Sequence, residues 1–169
     1  YYARSNSVEK DYLVKELNLK DMVQKAVRSN ARIMISNKIK ISMNNLDQKI
    51  FSDEKWLLFI LNQIISNAVK YKKEDPQISF EARQSTNQIF LEIRDNGIGI
   101  AAKDLPRVTD KGYTGTTGRN YEKSTGMGLY LCKKLCDKLH LSFKIESKEE
   151  EYTIVTIGFP RSSMIFLNE

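Results

Sequence analysis

Residues 95–129 read DNGIGIAAKDLPRVTDKGYTGTTGRNYEKSTGMGL. Seven of the chain's eight glycines (Gly97, Gly99, Gly112, Gly115, Gly118, Gly126 and Gly128) fall in this stretch, and only Gly158 lies outside it. Glycine serves where backbone turns sharply or comes close to another group. The crowding therefore predicts a loop flanked by two turns that contact a phosphate or a nucleotide, with a ligand-free surface loop as the alternative. The stretch begins where a strand pattern ends. Asp95 at a strand end can accept a hydrogen bond from an exocyclic amine such as that of adenine. Gly97 and Gly99 let the backbone pass close to a base, and Ile98 and Ile100 offer apolar walls. At the far end, Gly126-Met127-Gly128-Leu129 opens a helix after Ser124-Thr125, and helix N-termini with free amides bind phosphate. Lys111 and Arg119 place cations between the two turns. The Gly-Lys-Ser/Thr ending of a P-loop is absent. Nor does a third glycine and helix complete a Rossmann fingerprint after Gly99.

Working outward, LKDMVQKAVRSNA (19–31) has its apolar residues at helical spacing, with Asn18 as the cap. Strand-like stretches follow at 39–44 and 48–51, with Asn44-Asn45 as turn chemistry between them. Ser52 or Asp53 caps the strongest helix, which is expected to run through Tyr71. Leu57, Ile60, Leu61, Ile64, Ile65 and Ala68 form its apolar stripe. Gln63, Asn67, Lys70 and Glu74 form a separate polar line at i, i+4, i+7 and i+11. Asn67 offers an amide oxygen suited to Mg²⁺, and Lys70 lies one turn further on, within reach of a phosphate. Taken alone, that pair is better read as a solvated helix face. Strands are predicted at 77–84 and 88–94, a helix over 126–139, and strands at 141–147 and 152–159. Strands without regular βαβ alternation predict an α+β fold, a two-layer α/β sandwich with a mixed sheet covered on one face by helices.

The chain has 169 residues, enough for one domain with a sizeable core. Its 27 basic and 21 acidic side chains give a net charge of +6. Such a balance is compatible with a nucleic acid, an anionic membrane surface or a phosphorylated small molecule. Lys and Arg are scattered, without aromatic interleaving, so no nucleic-acid partner is expected. Cys132, Cys136 and His140 share a helix face that is otherwise leucine, which reads as core packing rather than a metal site.

The three motifs, in this order and spacing, resemble the N box and the two glycine boxes of the GHKL ATPase superfamily. They look most like sensor histidine kinase catalytic domains, over roughly residues 15–160. KGYTG (111–115) and STGMGLYL (124–131) are similar to the lid and second glycine box of these kinases. YYARS and EKDY, within residues 1–12, resemble the junction after the second dimerisation helix of the kinases that respond to antimicrobial peptides alongside ABC transporters.

The resemblance implies a Bergerat-type ATP-binding fold at 13–169, a dimerisation-helix tail or linker at 1–12, and ATP and Mg²⁺ as cofactors. Asn67 would ligate Mg²⁺, with Gln63 beside it, and Lys70 and Tyr71 would contact phosphate. Asp95 would read the adenine amine, and Gly97, Gly99 and Ile100 would line the base pocket. Gly126, Met127, Gly128 and Leu129 would cradle the phosphates. Lys111 and Arg119 would act from a lid at about 105–125, expected to order when Mg·ATP binds.

Two positions depart from the pattern. Many kinases carry Asn where this chain has Gln63, and the F-box Phe falls at Thr109. Relatives that hydrolyse ATP resemble one another in having Glu at position 63 to activate water, which an amide cannot do. The phosphoacceptor histidine is not the helix-end His140 and is implied to lie upstream. The implied activity is transfer of the γ-phosphoryl group to a histidine on a separate dimerisation domain. An anti-sigma-factor-type serine kinase and a non-catalytic nucleotide-binding module are the alternatives. Implied partners are the dimerisation domain, a response regulator and an ABC transporter. The fragment is expected to be a monomer, and the full-length protein a dimer in the bacterial cell membrane with this domain in the cytoplasm.

Overall fold

The computed structural model describes residues 12–113 and 128–161. In chain order the elements are β1 (Val14–Asn18), α1 (Leu19–Ser29), α2 (Ala31–Ser36), β2 (Lys40–Asn44), β3 (Lys49–Asp53), α3 (Glu54–Lys70), β4 (Gln77–Gln84), β5 (Gln88–Asp95), a 3₁₀ turn (Leu105–Arg107), α4 (Gly128–Lys138), β6 (Ser142–Lys148) and β7 (Tyr152–Pro160). Five strands form a mixed sheet in the order β2-β4-β5-β7-β6, in which only β2 and β4 run parallel. β1 and β3 form a separate antiparallel pair. The architecture is the expected α+β sandwich, extended by this second small sheet.

The strand period places one face of the large sheet under the helices. Rows Phe80–Ile93–Val155–Ile145 and Ala82–Leu91–Ile157–Phe143 run across four strands in register. Their central members are fully or almost fully buried. The opposite face is polar, with Arg83 stacked on Phe90 and Arg94 on Tyr152. Helix α3 packs between α1 and α4. Its predicted stripe, Leu57 through Ala68, is buried at every position.

Two caps fix where the helices begin. Asn18 accepts the Asp21 N–H at 3.2 Å and Asp53 accepts the Trp56 N–H at 3.0 Å. The second oxygen of Asp53 accepts the Leu13 N–H at 2.6 Å, so one buried carboxylate starts α3 and holds the entry to β1. Lys15 and Lys25 both pair with Glu54 in the first turn of α3, which holds that carboxyl below its usual range. Asp53→Ala should therefore cost more than an ordinary cap, about 2 kcal/mol. Urea denaturation checks this, and a loss below about 0.5 kcal/mol would show that β1 is held by other means.

Four sequence expectations need correction. β1 was not anticipated, because five residues with alternating charge carry little apolar signal. The strands on either side of Asn44-Asn45 do not pair. β2 joins β4 and β3 joins β1, since tertiary pairing rather than the local turn chooses the partners. The first helix stops at Ser29 and a second runs over Ala31–Ser36, broken at Asn30, whose side chain bonds the Ala26 carbonyl. Helix α3 ends at Lys70, leaving Glu74 exposed beyond it rather than on its polar line.

Candidate nucleotide-binding site

On three of the five strands of the large sheet the inward apolar series ends in a polar residue at one edge. On β5 the series Ile89, Leu91, Ile93 ends in Asp95. On β7 Ile157 and Val155 are followed by Thr153, and on β6 Phe143 and Ile145 by Ser147. Ile41, Ile78, Asp95, Thr153 and Ser147 are register partners across the five strands, so the last row is two isoleucines and three polar side chains. Burial at this edge raises the Asp95 carboxyl to about 6, although the Gly97 N–H donates to it at 2.9 Å and partly offsets the shift.

The loop after Asp95 is clamped from two sides. Ile98 N–H donates to the Tyr71 carbonyl at the end of α3 at 3.0 Å. A Cβ added at Gly97 would lie 2.5 Å from that same carbonyl oxygen. On the other side, Glu150 N–H donates to the Ile98 carbonyl at 2.6 Å, and Ile100 N–H donates to Ser147 Oγ at 2.8 Å. Gly99 has φ +67°, and a Cβ there would lie 2.2 Å from the Lys148 carbonyl oxygen. Lys73, just past α3, donates to the Glu150 carbonyl and ties the β6–β7 turn to the same unit. The expected close approach at Gly97 and Gly99 is thus made to protein backbone.

Helix α3 brings its polar line to this edge. Gln63, Asn67 and Lys70 are half-buried, and no described residue hydrogen-bonds the Gln63 or Asn67 amide. A Cβ added at Gly128, the first residue of α4, would lie 2.8 Å from Gln63 Oε1. The starts of the N-box line and of α4 are therefore adjacent. Lys70 Nζ lies 5.3 Å from the centre of the Tyr71 ring. Leu129 is half-buried in the first turn of α4.

Motifs more than 60 residues apart in sequence thus meet along one edge. Lys111 is described and exposed, whereas Arg119, Gly126 and Met127, with residues 114–125 of the expected lid, lie outside the described residues. The near part of that lid forms a chain of turns through Leu105–Arg107. There the Tyr113 hydroxyl bonds buried Asp104, and the Arg107 guanidinium stacks 4.3 Å from the Tyr113 ring. Where the family pattern places an aromatic at Thr109, this chain has a tyrosine anchor four residues later.

Cys132 and Cys136 are free and buried in the core, which pushes the Cys136 thiol up to about 12 and the Cys132 thiol up as well. Ser147, Thr153 and Lys73 were not anticipated as site residues. The signal for the first two is present in the sequence, as the positions where inward apolar alternation turns polar.

A mixed sheet with three helices on one face, and a site at its edge built from an amide line, an Asp-x-Gly-x-Gly loop and a glycine-started helix, define an ATP-binding α/β sandwich. The chain belongs to the histidine kinase-, DNA gyrase B- and HSP90-like ATPase family, whose pattern matches residues 52–163. It is 34% identical over 161 residues to the sensor histidine kinase YxdK of Bacillus subtilis, covering 94% of this chain and 50% of the relative. It is 36% identical over 157 residues to the sensor protein BceS of Bacillus subtilis, covering 93% and 47%. The chain thus spans about half the length of these curated relatives. Among solved structures, the catalytic domain of histidine kinase ThkA superposes with TM-score 0.76 at 17% identity, over 88% of this chain and 98% of that one. The Acinetobacter baumannii histidine kinase AdeS gives 0.75 at 17% identity, over 95% and 76%. These two establish the fold.

Proposed function

We propose that this chain is the catalytic domain of a sensor histidine kinase and transfers the γ-phosphoryl group of ATP to a histidine on a dimerisation domain outside residues 13–169. The observation that carries this reading is Gln63 against Gly128. The side chain beside the start of α4 is an amide, and α3 offers amides and a lysine there but no carboxylate. The site is suited to holding ATP and lacks a base on α3 to activate water. Asp95, on the sheet edge, serves the base.

Gln63 and Asn67 fit Mg²⁺, because two amide oxygens one helical turn apart have no partner among the described residues. Bound there, the ion would neutralise phosphate charge during transfer. The chain's own contribution is positioning. Asp95 accepts from the adenine amine, Gly97, Gly99 and Ile100 hold the base, Gly126 to Leu129 offer backbone amides to the phosphates, and Lys70, Tyr71, Lys111 and Arg119 supply polar contacts. A lid over about 105–125 that orders on nucleotide binding belongs to the same reading. So do residues 1–12 as the tail of a dimerisation helix, a response regulator as the next acceptor, an ABC transporter as partner, and a dimeric, membrane-anchored whole protein with this domain in the cytoplasm.

The test is to supply the dimerisation domain of the whole protein in trans and follow labelling from γ-labelled ATP. Acid-labile label on that domain, lost in Asn67→Ala, is the expected result. Rapid phosphate release by the chain alone, or acid-stable label on serine, would overturn the proposal.

A further inference from the structure

Ser147 sits at the end of β6, on the same inward row as Asp95 and Thr153, and its hydroxyl has three partners. It accepts the Ile100 N–H at 2.8 Å, lies 2.7 Å from the Tyr152 carbonyl and lies 3.0 Å from the Thr153 hydroxyl. A carbonyl only accepts, so the single Ser147 hydrogen goes to Tyr152. Two acceptor sites then remain on Ser147 Oγ. Ile100 N–H takes one, and the Thr153 hydroxyl must donate into the other. Thr153 has spent its only hydrogen and offers its lone pairs on the row it shares with the Asp95 carboxylate.

We propose that Ser147 is a positioning residue that sets the hydrogen-bonding sense of the base pocket, seating the Gly97–Ile100 loop and locking Thr153 as an acceptor beside Asp95. Asp95 and Thr153 then face the exocyclic group of a base with acceptors alone. An exocyclic amine, which carries two hydrogens, suits such a row, whereas a ring carbonyl at the same position meets lone pair against lone pair. Ser147 therefore enforces adenine over guanine without touching the base. This inference rests on the ATP-binding reading of the site.

Calorimetry of this chain with Mg·ADP and Mg·GDP, for wild type, Ser147→Ala and Ser147→Thr, tests it. In Ser147→Ala, Thr153 is free to turn its hydrogen outward. ADP affinity should fall about fivefold and the ADP-to-GDP ratio should shrink by at least that factor. Ser147→Thr retains the hydroxyl and should restore the ratio. Amide exchange should accelerate at Ile100 in Ser147→Ala while the Leu91 and Phe80 amides stay protected. An unchanged ratio in Ser147→Ala, or equal loss for both nucleotides, would overturn the role of Ser147 while leaving ATP binding intact. If wild-type chain fails to bind ADP, the underlying assignment of the site falls instead.

Discussion

Asp95→Asn is expected to weaken adenine-nucleotide binding by about 10- to 100-fold and, above pH 6, to make the nucleotide-free chain more stable. Both effects follow from one carboxyl group buried at the sheet edge. In the unfolded chain it titrates near 3.8, and in the folded chain at about 6. The folded state therefore holds the proton more tightly. The stability this lends is fully present below pH 3.8, declines as pH rises, and is gone above 6, where a charge sits in a poorly hydrated place. The shift of about two units would be worth about 3 kcal/mol, reduced to about 1–2 by residual hydration.

Asparagine carries no charge and keeps an oxygen for the Gly97 N–H. Its remaining group is then an amide NH₂, which opposes the adenine amine donor to donor. Melting curves should separate the variant from wild type at pH 8 and merge near pH 4. Calorimetry at pH 8 reads the binding loss. In the wild type, ATP affinity should fall as pH drops through 6, because protonation removes the charge and turns one of the two acceptor oxygens into a donor. Unchanged ATP affinity in the variant would reject base recognition by Asp95.

Gly99→Ala should be the most damaging single-methyl change in the loop. Gly99 combines φ +67° with a Lys148 carbonyl oxygen 2.2 Å from the new Cβ. The left-handed conformation alone costs about 1 kcal/mol. The collision is with backbone, so it is relieved only by lifting the loop from the β6–β7 turn. That movement breaks the Ile98–Glu150 and Ile100–Ser147 bonds, for a total loss of about 3 kcal/mol. Gly112 supplies the control. It has φ +75° but no described residue within 4 Å of an added Cβ, so Gly112→Ala should cost only the backbone term of about 1 kcal/mol. Urea denaturation of the two variants, with ATP titrations, checks this. Similar losses in both would show that the loop is not seated on the hairpin as described.

The family was legible because the motifs that carry it are local. Asp95-Asn96-Gly97-Ile98-Gly99 is a strand end and turn in any context, and the apolar stripe of α3 reads at helical period whatever it packs against. The caps at Asn18 and Asp53 are local in the same way, since each bonds an amide three residues on. Tertiary structure decided what these pieces meet. That β2 pairs with β4 while β3 turns away to β1, that Gln63 lies against Gly128, and that Gly99 is needed because of Lys148 are facts of long-range packing. Strand order depends on which apolar faces can be buried together, and no residue's own preference encodes its partner. Ser147 and Thr153 stand between the two cases. Their polarity at the end of an inward series is written in the sequence, but only the register of β5, β6 and β7 puts them on one row with Asp95, where Ser147 can hold Thr153 as an acceptor beside the carboxylate.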